Sequence, residues 1–286
     1  PQMGAVAARL ADVAVVTTDN PRTERPADII RDILAGMDGS KPVVVENRIE
    51  AICWALDHGR DGDVIVLCGK GHETYQEICG VKHPFDEKEI VIPNTFEGKP
   101  VIRILEGAFK DCAFIESVVL GKNVDIIENS AFRSCHNLKS VKASESLVFI
   151  GYNAFFECIK LSNIILSDAV TFIGEGAFER TAIESFSLPK KLHFLSCGVF
   201  DGCEALKSVT FHDQLLTIGK DCFTNCKKLQ HVVVPPSVRL IGDGAFAQSL
   251  ITKVELHSSI TSIGNSAFEN CTSLVEMDFS GCTSSS

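Results

Sequence analysis

Along residues 1 to 89 the apolar positions fall in two alternating patterns. Ala5 to Ala11, Pro26 to Gly36 and Ile49 to His58 carry helical spacing, and the second of these opens with Pro and closes with Gly, as helix ends favour. Between them lie short runs with no polar face: Val13 to Thr18, Pro42 to Glu46 with its three valines, and Val64 to Cys68. Fully apolar strands that alternate with helices predict a parallel sheet covered on both faces. The expected first unit, residues 1–89, is therefore a partial, Rossmann-like α/β sheet.

From Ile90 onward the pattern changes to a repeat. Phe recurs at 109, 132, 155, 178, 200, 223, 246 and 268, at spacings of 22 or 23 residues. Three residues after each Phe stands a small side chain: Cys112, Cys135, Cys158, Thr181, Cys203, Cys226, Ser249 and Cys271. Other apolar positions keep the same step. Leu138, Val141 and Ala143 become Leu161, Ile164 and Leu166, then Leu206, Val209 and Phe211, which marks one short strand per repeat. A second strand ends at Ile127, Ile150, Ile173, Leu195, Ile218, Ile241 and Ile263. The Gly that often follows, as at Gly151, Gly174, Gly219, Gly242 and Gly264, predicts a tight corner. A unit of this size cannot bury its apolar side alone, so about eight repeats over residues 90–286 stack into a β-rich solenoid with Phe, Ile, Leu and Val ladders inside.

Composition narrows the partners. A formal net charge of −10 without a Lys/Arg cluster argues against nucleic acid and anionic lipid. No apolar run reaches the 18 or so residues of a membrane span. Twelve cysteines could signal a disulfide scaffold, but their placement follows the repeat, so reduced buried thiols are expected. Cys222 and Cys226 have a C-x₃-C spacing, yet they occupy two different repeat positions and no second ligand pair accompanies them, so no metal site is expected. The exposed positions of the repeats show no aromatic or single-sign stripe.

The candidate chemistry lies in the first unit. Asp19-Asn20-Pro21-Arg22 follows the Val13 to Thr18 run, and Gly69-Lys70-Gly71-His72-Glu73 follows Val64 to Cys68. Loops at the carboxyl ends of parallel strands share one crevice. Arg22 offers a planar fork to a carboxylate, Asp19 and Glu73 accept from an ammonium group, and Asn20 serves either end, so the set suits a zwitterion. The alternative is an Asx-type turn and a tight strand exit. His72 and Lys70 have no paired acid or nucleophile around them and read as structural, so no catalytic residue is expected.

Two resemblances follow from these residues. Ala131-Phe132-Arg133-Ser134-Cys135-His136-Asn137-Leu138, with the entry Ile90 to Pro93 and Gly98-Lys99-Pro100-Val101, resembles BspA-type leucine-rich repeats. This implies a solenoid that binds a protein or a surface ligand, and implies no chemistry. Residues 1 to about 89, with Asp19-Asn20-Pro21-Arg22, Gly69-Lys70-Gly71-His72-Glu73, Met3-Gly4-Ala5 and Pro84-Phe85-Asp86, resemble the C-terminal part of the Mur ligase that adds the third amino acid to UDP-MurNAc-L-Ala-D-Glu. That resemblance implies meso-diaminopimelate as the amino acid, with Asp19, Asn20, Arg22, Gly69 and Glu73 as substrate contacts. ATP and Mg²⁺ are implied for the whole ligase, but no G-x-x-x-x-G-K-[ST] occurs in these residues, so no cofactor and no ligation are expected of this chain alone. The expected arrangement is a truncated ligase domain joined near Glu89 to the repeats. The ligase half implies the cytoplasm, whereas repeats of this type are often found at cell surfaces.

Overall fold

The computed structural model describes residues 2–18, 24–37, 39, 41–58, 75–78, 81–84, 88–96 and 98–281. The chain divides into two compact units, Pro1–Glu87 and Lys88–Ser286.

In the first unit, helix α1 (Gln2–Leu10) precedes strand β1 (Val15–Val16), helix α2 (Pro26–Leu34), strand β2 (Val43–Val44) and helix α3 (Arg48–His58). The two strands pair in parallel, Val15 with Val43 and Val16 with Val44. The apolar run Val64 to Cys68 lies outside the described residues. Val16, Ile30 and Met37 form the buried centre, with Ala7, Ala8, Ala14, Ile33 and Leu34 packed on it. Gly4 permits this packing, because a Cβ there would sit 2.1 Å from the Ile33 carbonyl oxygen. Pro26 supplies a preset φ at the first turn of α2. Asp28 in that turn accepts from Arg25 and pairs with Arg31, which holds its carboxyl below the usual range, the Arg25 hydrogen bond contributing most. Strands β3 (Tyr75–Ile78) and β4 (Val81–Pro84) form an antiparallel hairpin.

The second unit is a stack of rungs, each contributing a strand to two parallel ladders. The first ladder holds Glu89–Val91, Ser117–Val119, Ser140–Lys142 and Asn163–Ile165, then Ser185–Ser187 with Ser208–Thr210, then His231–Val233, Lys253–His257 and Glu276–Gly281. The second holds Arg103–Ile104, Ile126–Ile127, Phe149–Ile150 and Phe172–Ile173, then Phe194–Leu195, Thr217–Ile218, Leu240–Ile241 and Ser262–Ile263. Register is one repeat per rung, as in Val118 to Val141 to Ile164.

A third column of backbone hydrogen bonds runs through the turn that carries the repeated Phe. The Phe109 N–H donates to Ala131 O at 2.8 Å, Phe132 to Ala154, Phe155 to Ala177, Phe178 to Val199, Phe200 to Cys222, Phe223 to Ala245 and Phe246 to Ala267. Two residues either side of each Phe, the chain takes positive φ: Ser130 and Ser134 around Phe132, Asn153 and Glu157 around Phe155. These left-handed residues turn the intervening N–H groups along the stack axis, toward the next rung.

The glycines after the second strand do something other than turn a corner. Gly151, Gly174, Gly219, Gly242 and Gly264 do not have positive φ. A Cβ at Gly174 would instead lie 2.6 Å from Tyr152 N and 2.7 Å from Gly151 C, so these positions lack a side chain because adjacent rungs touch there.

Inside, the Phe rings stack with centroid separations from 5.1 Å (Phe109–Phe132) to 5.8 Å (Phe178–Phe200). The widest step is the first of the two 22-residue spacings, where both ladders also break. Phe186 stands there in the position of Val141 and Ile164, and packs edge-on to Phe200 at 4.8 Å.

Candidate functional site

Asp19, Asn20, Arg22, Gly69 and Glu73 lie outside the described residues, as do Lys70 and His72. The structure does describe where the first of the two loops begins. Thr18, next to Asp19, donates from Oγ1 to Glu46 O at 2.8 Å, and its N–H reaches the same oxygen at 3.3 Å. The exit of β1 is thus tied to the exit of β2, at the carboxyl ends of the two paired strands.

In the solenoid, the small side chain after each Phe from Phe132 onward has a bond to make. Cys135 Sγ donates to Phe109 O at 2.9 Å, Cys158 to Phe132 O at 3.1 Å, Cys203 to Phe178 O at 3.0 Å, Cys226 to Phe200 O at 3.3 Å and Cys271 to Phe246 O at 3.1 Å. Ser249 Oγ makes the same bond to Phe223 O at 2.7 Å. Thr181 instead donates to Phe178 O of its own rung and meets Cys203 Sγ at 3.3 Å. The slot therefore selects for a small donor, and a sequence that alternates only Cys, Ser and Thr there carries that signal. No disulfide joins the eight described cysteines. Burial pushes the Cys112 thiol up to about 11 and that of Cys203 to about 12. Cys135 is raised first by its hydrogen bond with Cys158 and then by burial, and Cys222 and Cys226 are raised by burial. These thiols are protonated and poorly nucleophilic at neutral pH.

The outward face of the second ladder corrects one expectation, since it does carry an aromatic stripe. Phe149 and Phe172 stack at 4.8 Å, Tyr152 meets Phe172 edge-on at 5.9 Å, and Phe194 follows one rung later with 58% of its surface exposed. Val148, Leu216 and Leu240 extend the stripe and are also exposed. The signal was present as a second Phe period of 23 and 22 residues, each ring standing one position before a buried Ile or Leu.

The first ladder offers charge and a cleft. Glu116 sits between Lys88 and Lys139, whose hydrogen bonds hold its carboxyl down near 2, that of Lys139 contributing most. Further along, Ser208–Thr210 and His231–Val233 are not hydrogen-bonded to each other. A cleft of about 440 Å³ opens there, lined by Val209, Phe211, His212, Val233 and Pro235 among others. Among the described residues, no helix is long and apolar enough to cross a membrane.

Comparison with known proteins fixes the class of each unit. Residues 102–215 and 194–285 match the BspA type Leucine rich repeat region, in six copies, and the chain belongs to that family. Residues 1–71 match the Mur ligase, glutamate ligase domain. The chain thus joins a Mur ligase C-terminal fragment to a leucine-rich-repeat solenoid. The UDP-N-acetylmuramoyl-L-alanyl-D-glutamate–2,6-diaminopimelate ligase of Chromobacterium violaceum is 56% identical over 87 residues, which is 30% of this chain and 18% of that protein. A second ligase of that name, from Clostridium acetobutylicum, is 52% identical over 91 residues, 32% of this chain and 19% of that protein. The chain therefore spans about a fifth of the length of these curated relatives. A leucine-rich repeat protein from Bacteroides ovatus superposes with a TM-score of 0.55 at 20% identity, covering 68% of this chain and 64% of that one, which shows a shared fold.

Proposed function

We propose that the solenoid is a binding surface for another polypeptide, and that the ligase-derived unit supplies a subsite for the meso-diaminopimelate end of a cell-wall precursor. The observation that carries the first part is the aromatic stripe. Stacked, half-exposed rings on a flat ladder leave apolar area that water solvates poorly, and patches of this kind mark contact sites. The Cys ladder, the Phe stack and the turn column serve to hold that face rigid, so a partner would meet a surface that needs little ordering on binding. The second part rests on the 56% identity to a diaminopimelate-adding ligase. In this reading Arg22 takes a carboxylate and Asp19 with Glu73 takes the ammonium group, while Asn20 and Gly69 complete the contacts. ATP and Mg²⁺ belong to the complete ligase and are not held by these residues. The cytoplasm is the proposed location, where the precursor is made and thiols stay reduced.

A second reading draws on the same identity: the chain is part of a complete ATP-dependent ligase that carries the repeats as an appendage. The two are separated by a photocrosslinking amino acid placed at Phe194 in the source cell. The binding-surface reading expects a polypeptide adduct from that position and none from Glu204, on a turn. Equal or absent adducts at both would contradict it.

A further inference from the structure

We propose that the cleft in the first ladder, between Ser208–Thr210 and His231–Val233, docks a short extended segment of a partner polypeptide, whose main chain takes up the hydrogen bonds that the ladder leaves unmade there. The inference rests on the reading of the solenoid as a polypeptide-binding surface and gives it a second point of contact. Three features point to this occupant.

The first is that the opening does not come from a shortened repeat. The other gap in this ladder, between Asn163–Ile165 and Ser185–Ser187, falls at a 22-residue spacing, where the second ladder breaks as well and Phe186 packs into the step. Ser208 and His231 are 23 residues apart. The second ladder stays paired beside them, Thr217 with Leu240 and Ile218 with Ile241, and Phe223 N–H still donates to Ala245 O at 2.7 Å. The two rungs are thus held together on two sides and parted on the third.

The second is unsatisfied main chain. In closed steps the residue after the strand donates forward, Leu120 to Lys142 O and Leu188 to Thr210 O, both at 3.0 Å. The residue before the strand donates back, as Lys207 does to Glu184 O at 2.7 Å. By that register Phe211 N–H would donate to Val233 O, and Gln230 N–H to Lys207 O. Neither bond is made, and among the described residues neither N–H has another acceptor. The far lip supplies no further donor, because Pro235 and Pro236, next after Val234, carry no N–H. A donor left over on one lip and an acceptor on the other call for a group that accepts at one end and donates at the other, which a peptide unit does.

The third is the lining. At about 440 Å³ the cleft has the size of sites that take a small ligand, and Val209, Phe211, Val233, Pro235 and Pro236 give it apolar walls. Val209 is only partly buried, whereas its equivalents Val141, Ile164 and Val232 are at most 8% exposed, so its edge is open to an incoming side chain. Among the described residues the lining holds Asp213 and no Lys or Arg, which disfavours an anionic ligand. Main-chain bonds at the lips with an apolar side chain against the walls is the form in which a peptide adds to a strand edge.

The probe is acetyl-Gln-His-Val-Val-Val-amide, which copies residues 230–234, titrated into the isotope-labelled full chain and followed by amide NMR. Saturable shifts at Val209, Phe211 and Val233 are expected, with a dissociation constant below about 1 mM and slower solvent exchange of Phe211 N–H. The same probe N-methylated at its three valines is expected to bind at least about tenfold more weakly. Val233→Asp, at a position 46% exposed, is expected to weaken the unmethylated probe by a similar factor while thermal unfolding stays unchanged. No saturable shift at Phe211 up to about 5 mM probe, or equal binding of the methylated probe, overturns the proposal. Absence of the probe from the cleft while Phe194 still yields a polypeptide adduct sinks the cleft contact alone. Binding at Phe211 with no adduct at Phe194 leaves the cleft standing and removes the aromatic stripe.

Discussion

Single residues in this solenoid are chosen by what the next rung places against them. Gly174 and Gly198 illustrate two distinct reasons for glycine. At Gly198 the φ of +59° selects a residue that tolerates the left-handed region, and a Cβ there would meet open space. Asn153 occupies the equivalent position two repeats earlier, so Gly198→Asn is expected to change stability by no more than about 0.5 kcal/mol. Gly174→Asn instead drives a Cβ into Tyr152 N and is expected to cost about 2 kcal/mol or more, both read from urea unfolding midpoints. The small slot makes a parallel case. Cys158→Ser keeps a side-chain donor to Phe132 O, whereas Cys158→Val leaves that oxygen with the Cys135 N–H alone, so the serine variant should be the more stable by about 1 kcal/mol. Sequence spacing exposed the slot but not its bond, because hydrogen-bond direction becomes visible only when two rungs are stacked.

At the scale of elements, neither β ladder is continuous and the Phe turn is. Both ladders lose their pairing at the first 22-residue step, yet Phe178 N–H still reaches Val199 O at 3.0 Å and the ring stack continues. Truncation within the stack, Phe155→Ala, is therefore expected to cost about 3–5 kcal/mol, more than any change to an exposed ladder residue, in the same unfolding assay. Charge along the first ladder contributes in a pH-dependent way. The Glu116 carboxyl is depressed from 4.5 to about 2 by Lys139 and Lys88, so its contribution is present above about 4.5 and is lost as pH falls through about 2. The stability difference between the parent chain and Glu116→Gln should thus be largest near neutrality and shrink toward zero between pH about 4.5 and pH about 2.

The whole molecule was legible in outline because both of its patterns are strong. Eight Phe at one period leave a single way to stack, and the solenoid followed from that alone. What spacing could not give was the role of Gly151 and its equivalents, since close approach between rungs and a left-handed turn ask for the same residue. It also missed the Phe149, Phe172 and Phe194 stripe, whose period was overshadowed by the stronger one six residues on. In the first unit the helices α1, α2 and α3 were expected within a few residues of where they lie, and the β1–β2 pair is parallel. The diaminopimelate contacts remain a proposal drawn from the ligase resemblance. If the Arg22 fork holds a carboxylate, Arg22→Ala should abolish calorimetric heat of binding for a meso-diaminopimelate-containing tripeptide that the parent chain binds.

In the proposed reading, residues 1–286 bind a cell-wall precursor without ligating it. The direct measurement is incorporation of labelled meso-diaminopimelate into UDP-MurNAc-L-Ala-D-Glu by the purified chain, supplied with ATP and Mg²⁺. No labelled tripeptide above the blank is expected, and ATP-dependent formation of that product would overturn the binding-only reading.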